Sequence, residues 1–502
     1  MKPETLDRYE SLFPPPSGAY DGFLQRRSRK RRNERIGAFV LAFVIAAGSV
    51  AAAVAAFHRA SEPKPVSTID PANVAHLHEI GNDVTFPQEG FRMATGDGIL
   101  AVGTSPFRGR RGQLIAYPFP CGDAGVACAP LWRADLDGAG SPVVANGVVY
   151  VTGLRGQTLH AFPTDCRSNG KRCSPLWTAK VGPTSWITPP LVGSDGPTNR
   201  VYVGTASAVL GFDVGCGGGG RTCSPAWVAP TTQPVRAIAY SEGVLYAGTG
   251  KPGTPDTRDV GSVTAFNASC SSPAPEVPAR CVQWSRNVGQ VWDLAVDGST
   301  LFVGTNGGPS GVQAFAIACV RAGGPCRPLW MGSTDCCTQL TVANGTVFAD
   351  DQTAHAYAFP ASCASDGSAC DPVWTSSEIL GQPFIDFSRP LVSGGLVFVG
   401  GDEGWIYSFP QTCEGACPPA SRTFIPDQNG IPGIWDAVTL NDRLYVAAAD
   451  GLHVFSAEGT PSVSAAASAG GAPLFYLGVV LVAVLVLAVR FLRRRRARSD
   501  GT

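Results

Sequence analysis

The chain has 502 residues, and its 39 Lys/Arg balance its 39 Asp/Glu. The balance is uneven: residues 58–471 hold 24 basic against 33 acidic side chains, so the positive excess lies outside them. A mildly acidic middle lacks the basic footprint that DNA or RNA binding requires, so no nucleic-acid partner is expected, and its acidity reads best as ordinary solvated surface.

Taken in order, residues 1–35 are polar and end in a basic run at 26–35, which reads as a cytoplasmic tail. Residues 36–57 are an apolar run of 22 residues without a charge, long enough to cross a bilayer. A cleaved signal peptide has a shorter apolar core and a shorter leader, so an uncleaved anchor is the better reading. A linker at 58–73 leads into a repeat region at 74–456, and a second linker at 457–471 precedes a second span at 472–492 and a tail at 493–502. Basic clusters precede the first span and follow the second. The positive-inside rule then places both termini in the cytoplasm and the repeats outside, in a cell-membrane protein whose lipid contacts are two spans. The arginine-rich tails set topology and touch anionic headgroups; docking of a cytoplasmic regulator is the alternative.

Between the spans one unit recurs at about 45-residue intervals, the signature of a propeller. Its parts are an apolar strand A, a tight turn, a strand B such as VYVGT from Val201, a strand C such as LHAF at 159–162, and a strand D ending in Trp. A loop with a cysteine near each end joins C to D. Copies occupy 114–132, 158–177, 209–227, 263–284, 312–330 and 356–374, with a degenerate one at 405–417. B strands begin at Ile99, Val148, Val201, Val244, Leu301, Thr346, Leu396 and Arg443. Eight B strands predict an all-β, eight-bladed β-propeller flanked by two transmembrane helices. Only seven D strands follow their C strands. The eighth is expected from residues 74–81, ahead of the first blade, because an open blade would expose a strand edge.

All 16 cysteines lie between Cys121 and Cys417. Fourteen form local couples: Cys121/Cys128, Cys166/Cys173, Cys216/Cys223, Cys270/Cys281, Cys319/Cys326, Cys363/Cys370 and Cys413/Cys417. Structural zinc needs four ligands together, and the histidines are too scattered to complete them, so disulfides and an oxidising compartment are expected, with no metal. Each bridge is expected to staple the C–D hairpin of its own blade. Trp132, Trp177, Trp227, Trp284, Trp330 and Trp374 recur once per blade, which favours blade-to-blade packing over a ligand cage. His160, His355 and His453 fall in separate blades and read as structural or exposed.

The starts of the A strands should border the central channel. They carry Arg92, Trp186, Arg236, Trp292, Asp293, Asp386, Arg389, Trp435 and Asp436, with the adjacent pair Cys336 and Cys337. Mixed Trp, Arg and Asp at a channel mouth form a candidate ligand-binding site; ordinary ion pairing and packing between blades is the competing reading. The linkers add an orientation: they leave the ring at its C–D turn edge, so that edge is expected to face the membrane.

VYVGT, the LxAF strand and the D-strand Trp together resemble the eight-bladed quinoprotein-like propellers over residues 74–456. That family includes pyrroloquinoline-quinone (PQQ) alcohol dehydrogenases and cofactor-free relatives. The chain departs from the family turn Ala-x-Asp-x-x-x-Gly-x-x-x-Trp: the Asp and Gly are gone, and a cysteine-closed loop replaces them. The dehydrogenases set a vicinal disulfide against the cofactor ring, so the resemblance makes Cys336–Cys337 the one enzymatic hint. No Glu, Asn and Asp set matches the family's calcium and base positions. The expectation is therefore the cofactor-free branch: a non-catalytic scaffold or sensor for a protein or envelope ligand. The alternative is a PQQ-dependent oxidoreductase using the Cys336–Cys337 side.

Overall fold

The computed structural model describes residues 68–83, 92–104, 112–122, 128–153, 157–166, 172–183, 188–193, 199–217, 221–251, 260–270, 279–306, 310–335, 338–351, 355–377, 389–401, 404–425, 433–448 and 450–457. The described residues all belong to one compact unit. The expected spans and tails lie outside the described residues, as do Trp186, Cys336, Cys337 and Asp386. Among the described residues no helix is long and apolar enough to cross a membrane.

Eight antiparallel sheets succeed one another along the chain, each built from strands A to D. Blade one comprises Arg92–Gly96, Ile99–Gly103, Gly112–Pro118 and Trp132–Leu136. Strand B is buried end to end in several blades, as in Ile99–Gly103 and Arg200–Gly204. Such strands have blades on both faces, which is why they read as continuous apolar runs rather than alternating ones. The A–B turns follow from sequence just as directly. Asp97-Gly98, Asn146-Gly147 and Asn344-Gly345 each place two successive residues at positive φ, the type I′ hairpin geometry that Asn/Asp-Gly pairs supply.

Blade eight closes as the strand count requires, with one correction. Its A, B and C strands are Ile434–Leu440, Arg443–Ala448 and Gly451–Ser456, and its D strand comes from the other end of the chain. That strand is His78–Asp83, not 74–81, and pairs His78 with Ser456 and Asp83 with Leu452. Residues 74–76 form a 3-10 turn instead. The Asp70 carboxylate accepts the Ala72 and Asn73 N–H groups at 2.8 and 3.2 Å, which turns the chain before the strand. The turn lets Ile69 and Val74, each 1% exposed, plug the space between blades seven and eight.

Six seams between blades share one design. Each D-strand Trp meets the Phe of the next blade's C strand: Trp132 with Phe162, Trp177 with Phe212, Trp227 with Phe266, Trp284 with Phe315, Trp330 with Phe359 and Trp374 with Phe409. The centroids are 5.3–6.3 Å apart. In four of them the indole N–H donates to a carbonyl two residues past that Phe, as Trp330 does to Ala361 at 3.0 Å. The tryptophans are seam packing, as their once-per-blade recurrence implies.

The two seams that flank blade eight differ. Ser421 stands where blade seven would carry its Trp, and Ile69 and Val74 fill the gap against Leu396, Ile406, Ile425 and Phe455. Between blades eight and one, polar contacts border an apolar cluster that includes Ile80, Met93, Leu452 and Val454: Tyr117 donates to Asp83 at 2.9 Å, and Arg133 lies 3.7 Å from the same carboxylate. The Cys121 carbonyl there accepts from Arg443 at 2.8 Å and from the Tyr445 hydroxyl at 3.1 Å.

All seven local couples are disulfides: Cys121–Cys128, Cys166–Cys173, Cys216–Cys223, Cys270–Cys281, Cys319–Cys326, Cys363–Cys370 and Cys413–Cys417. They staple single C–D hairpins as expected, and several of their loops also pack on the neighbouring blade. The loop of each of several blades reaches back and lies on the D strand of the blade before it. Arg221–Cys223 pairs in parallel with Trp177–Lys180, Ser368–Cys370 with Trp330–Ser333, and Gly415–Cys417 with Trp374–Ser376. An Arg133–Arg172 bridge and an Arg172–Asp135 ion pair repeat the contact between blades one and two. The fifth strand covers an edge that would otherwise be open to pairing.

Burial shows the same thing. The second cysteine of every loop is a core residue rather than a surface one: Cys128, Cys173, Cys223, Cys281, Cys326, Cys370 and Cys417 are all buried. Cys128 packs with Tyr117 and with Tyr445 of blade eight. Cys326 of blade five packs with Trp284 and Val263 of blade four, and its carbonyl accepts from Arg286 of that blade at 2.7 Å. Cys281 is wholly buried beside the start of its own D strand, Val282–Asn287. A bridge whose inner sulfur is buried acts as apolar packing as well as a covalent tie.

Candidate functional site

Where the A strands converge lies a cavity of about 360 Å³, lined by residues from all eight blades. Arg92, Arg236, Trp292, Asp293, Arg389 and Asp436, all expected from sequence, line it together. Trp435 is adjacent: its carbonyl accepts a hydrogen bond from Arg92. Trp186 and Asp386 lie outside the described residues, as do Cys336 and Cys337. None of the seven described disulfides lines the cavity.

The placement has a backbone cause. The A strands of blades four, five and eight are the long ones, and each carries a β-bulge at its channel end. The register jumps from Val235 to Ala237, from Val291 to Asp293 and from Ile434 to Asp436. The residues passed over are Arg236, Trp292 and Trp435. A bulge inserts one residue that opposes nothing on the partner strand and re-aims its side chain. The carbonyls freed from the ladder are taken up by neighbouring blades: Thr188 donates to Arg236 O at 2.6 Å, and Arg92 to Trp435 O. Blades two and three instead begin short A strands, Val143–Ala145 and Leu191–Gly193, after Pro142 and Pro190. Proline cannot extend the ladder inward, so this side of the mouth is an apolar wall of Pro142, Pro189, Pro190 and Leu191.

The Trp-Asp dipeptides of blades five and eight act alike. Asp293 accepts the Leu294 N–H at 2.8 Å and the Leu340 N–H of blade six at 3.0 Å. Asp436 accepts the Ala437 N–H at 2.9 Å and the Met93 N–H of blade one at 2.8 Å. Each carboxylate thus ties its blade to the start of the next. Arg389 of blade seven reaches Asp293 at 2.5 Å and is half exposed. The Arg236 guanidinium lies 4.3 Å over the Trp292 ring, a cation–π contact that fixes both bulged side chains. The Trp292 indole N–H has no hydrogen-bond partner among the described residues.

Burial pushes Asp436 upward from the usual carboxylate range, and Arg92 with the two backbone N–H groups opposes the shift. Burial pushes Asp350, opposite Gln339 on the next strand, well above that range, and the nearby Asp351 and Asp293 add to the effect. Such a carboxyl holds its proton. Among the described residues no group of three or more His, Cys, Asp or Glu is placed to hold a metal ion. With both oxygens of Asp293 engaged by backbone and Arg389, these residues do not fit the calcium-bound quinone of the dehydrogenases. The arrangement can bind through guanidinium groups, an aromatic face and an apolar wall.

The sequence singled out the bulged and charged residues but missed Ser141, Pro142, Pro189, Pro190 and Gln339. Their signal was available for the prolines: Pro occurs just before strand A in blades two, three and seven.

No protein-family model matches the chain, and no curated protein matches it in sequence. Solved structures do. BamB from Moraxella catarrhalis is 14% identical with a TM-score of 0.50, over 76% of this chain and 97% of that one. Sqt1 from Chaetomium thermophilum is 13% identical with a TM-score of 0.56, over 75% and 97%. The same Sqt1 bound to the N-terminus of the ribosomal protein L10 matches at 13% identity and a TM-score of 0.53, over 75% and 99%. At these identities the likeness is one of fold, and it supports the eight-bladed propeller.

Proposed function

We propose that the chain is a membrane-anchored, extracytoplasmic propeller of the quinoprotein-like type. In this reading it holds a protein or cell-envelope partner at the channel mouth and catalyses no reaction. The observation that carries this reading is the set of three bulges, which turn Arg236 and Trp292 into the mouth and free the Trp435 carbonyl to hold Arg92 there. The similar Sqt1 is a propeller solved with a protein segment bound, which fits a binding role for this architecture. The seven disulfides support an oxidising compartment, and the apolar runs at 36–57 and 472–492, flanked by arginines, support anchoring with both termini cytoplasmic.

The test is site-specific photocrosslinking in intact cells with the full-length chain. A photoreactive residue at Gln339, on the mouth, should give a discrete adduct that disappears in the Trp292→Ala/Arg389→Ala double variant. The same probe at Phe424, on the outer rim, should not give that adduct. Equal labelling at both positions defeats the reading. Dye-linked alcohol oxidation by the chain incubated with PQQ and calcium replaces it with the oxidoreductase alternative.

A further inference from the structure

We propose that blade eight closes the ring with a pH-responsive clamp formed by His453 between Glu79 and Asp450. His453 is 2% exposed and lies on strand C of blade eight. Its Nδ1 is 2.9 Å from the Glu79 carboxylate and its Nε2 is 2.8 Å from the Asp450 carboxylate. Both contacts are good hydrogen bonds only when both ring nitrogens carry protons, because a carboxylate can only accept. The imidazolium then bridges two acids. Glu79 belongs to the D strand supplied by the other end of the chain, so this contact joins the first strand of the ring to its last. The second Asp450 oxygen is buried with no partner among the described residues, so the cation is the group that compensates that carboxylate.

The surroundings make this contact matter. Among the described residues blade eight has no disulfide, and neither of its seams has the Trp–Phe contact of the other six. The remaining charged groups around the clamp are Asp83 on strand D, held by Tyr117 and Arg133 of blade one, and Asp442 and Arg443 at the start of strand B. Opposite His453 stand Asn82 on strand D and Val446 on strand B, neither of them ionisable. Among the described residues only Glu79 and Asp450 bond to the ring.

Burial alone would lower the His453 pKa, but the bonds to Asp450 and Glu79 outweigh it and hold it at about 9. A raised His value gives stability that is complete below 6.5 and is lost as pH rises through about 9. The bond to His453 lowers Glu79 from 4.5 despite its partial burial, so its share is present above 4.5 and is lost as pH falls further. The clamp is tightest between those limits and loosens on both sides. Release frees the N-terminal strand, and with it the blade that carries Trp435 and Asp436.

Hydrogen exchange on the full-length chain purified in detergent reads this directly. Protection of strands His78–Asp83 and Gly451–Ser456, corrected for intrinsic rates, is divided by that of strands Thr158–Pro163 and Trp177–Lys180 in blade two. The ratio should fall about tenfold or more between roughly pH 6.5 and 9.5. A ratio constant within about twofold overturns the proposal. In Glu79→Gln the fall should begin at lower pH, because the imidazolium has lost one partner; an unshifted midpoint also overturns it. His453→Gln, if it folds, should show no fall over this range, and Glu79→Gln keeps the test decisive if it does not.

Discussion

Blades two and eight carry nearly the same strand C, LHAF at 159–162 and LHVF at 452–455, yet close by opposite means. In blade two the chain runs on from C to D, and Cys166–Cys173 locks the connection. In blade eight, C and D come from opposite ends of the chain, and His453 meets the Glu79 carboxylate between them. Burial lowers His160 to about 4, whereas two carboxylates hold His453 at about 9. Residue type and repeat position are the same; the partner on strand D and the acid in the B–C turn decide which protonation state each blade keeps. A histidine's role in a repeat therefore depends on what its neighbour strand supplies rather than on the repeat itself.

The largest effect should come from removing the strand that has no covalent tie. Deleting residues 68–83 strips buried Ile69, Val74 and Ile80 from the core and leaves blade eight with an open edge. A loss on the order of 5 kcal/mol or more is expected, read as a collapse of the cooperative thermal transition. Unchanged melting would mean that blade eight closes another way. Next, Trp177→Ala empties an ordinary seam and should cost about 3–5 kcal/mol by chemical denaturation. Below that, Cys166→Ser with Cys173→Ser reopens the loop in blade two at a cost of about 2–3 kcal/mol. Blade two should stay closed in this variant, since its strands remain continuous in the chain. The smallest effect sharpens the contrast in pH. A lowered His160 makes the unfolded state bind more protons, so blade two should lose stability as pH falls from 6.5 toward 4. At about pH 5.5 this should amount to roughly 1 kcal/mol, and His160→Gln should abolish the acid slope in hydrogen exchange of Thr158–Pro163. Blade eight should show the reverse slope on the alkaline side.

Much of this fold is legible in the chain because its rules are periodic. Strand B runs, Asn-Gly turns, the once-per-blade Trp and the cysteine couples each repeat in register, so one good copy interprets the others. The channel residues were legible for a related reason: Arg236, Trp292 and Asp293 stand at the starts of A strands, and those starts border the channel. Non-periodic features were harder to read. Nothing in the spacing marks Val74–His76 as a turn rather than strand, because Asp70 acts through its side chain. The parallel strands laid down by the disulfide loops were invisible, since three residues such as Ser368–Cys370 have no strand pattern of their own. For the same reason spacing pairs Cys319 with Cys326 but does not disclose that Cys326 is buried against the blade before it. Nor does a one-dimensional pattern disclose that Glu79 and His453, 374 positions apart, share a proton-bearing bond.

Those backward-reaching loops give the ring a direction of assembly. Blade five presents an open edge at Trp330–Ser333 until residues 368–370 exist, and these belong to blade six. Blade six in turn waits for residues 415–417 of blade seven. In blades two, five and six, a chain emerging from its N-terminus would carry an uncapped edge until the loop of the next blade is made. Blade eight works in the opposite order. The loop that meets it, around Cys121, and the strand that completes it, His78–Asp83, are both made before blade one is finished. The last blade thus docks into a receptor that has been waiting since the start of synthesis, and the nascent chain must keep that first strand unpaired until then.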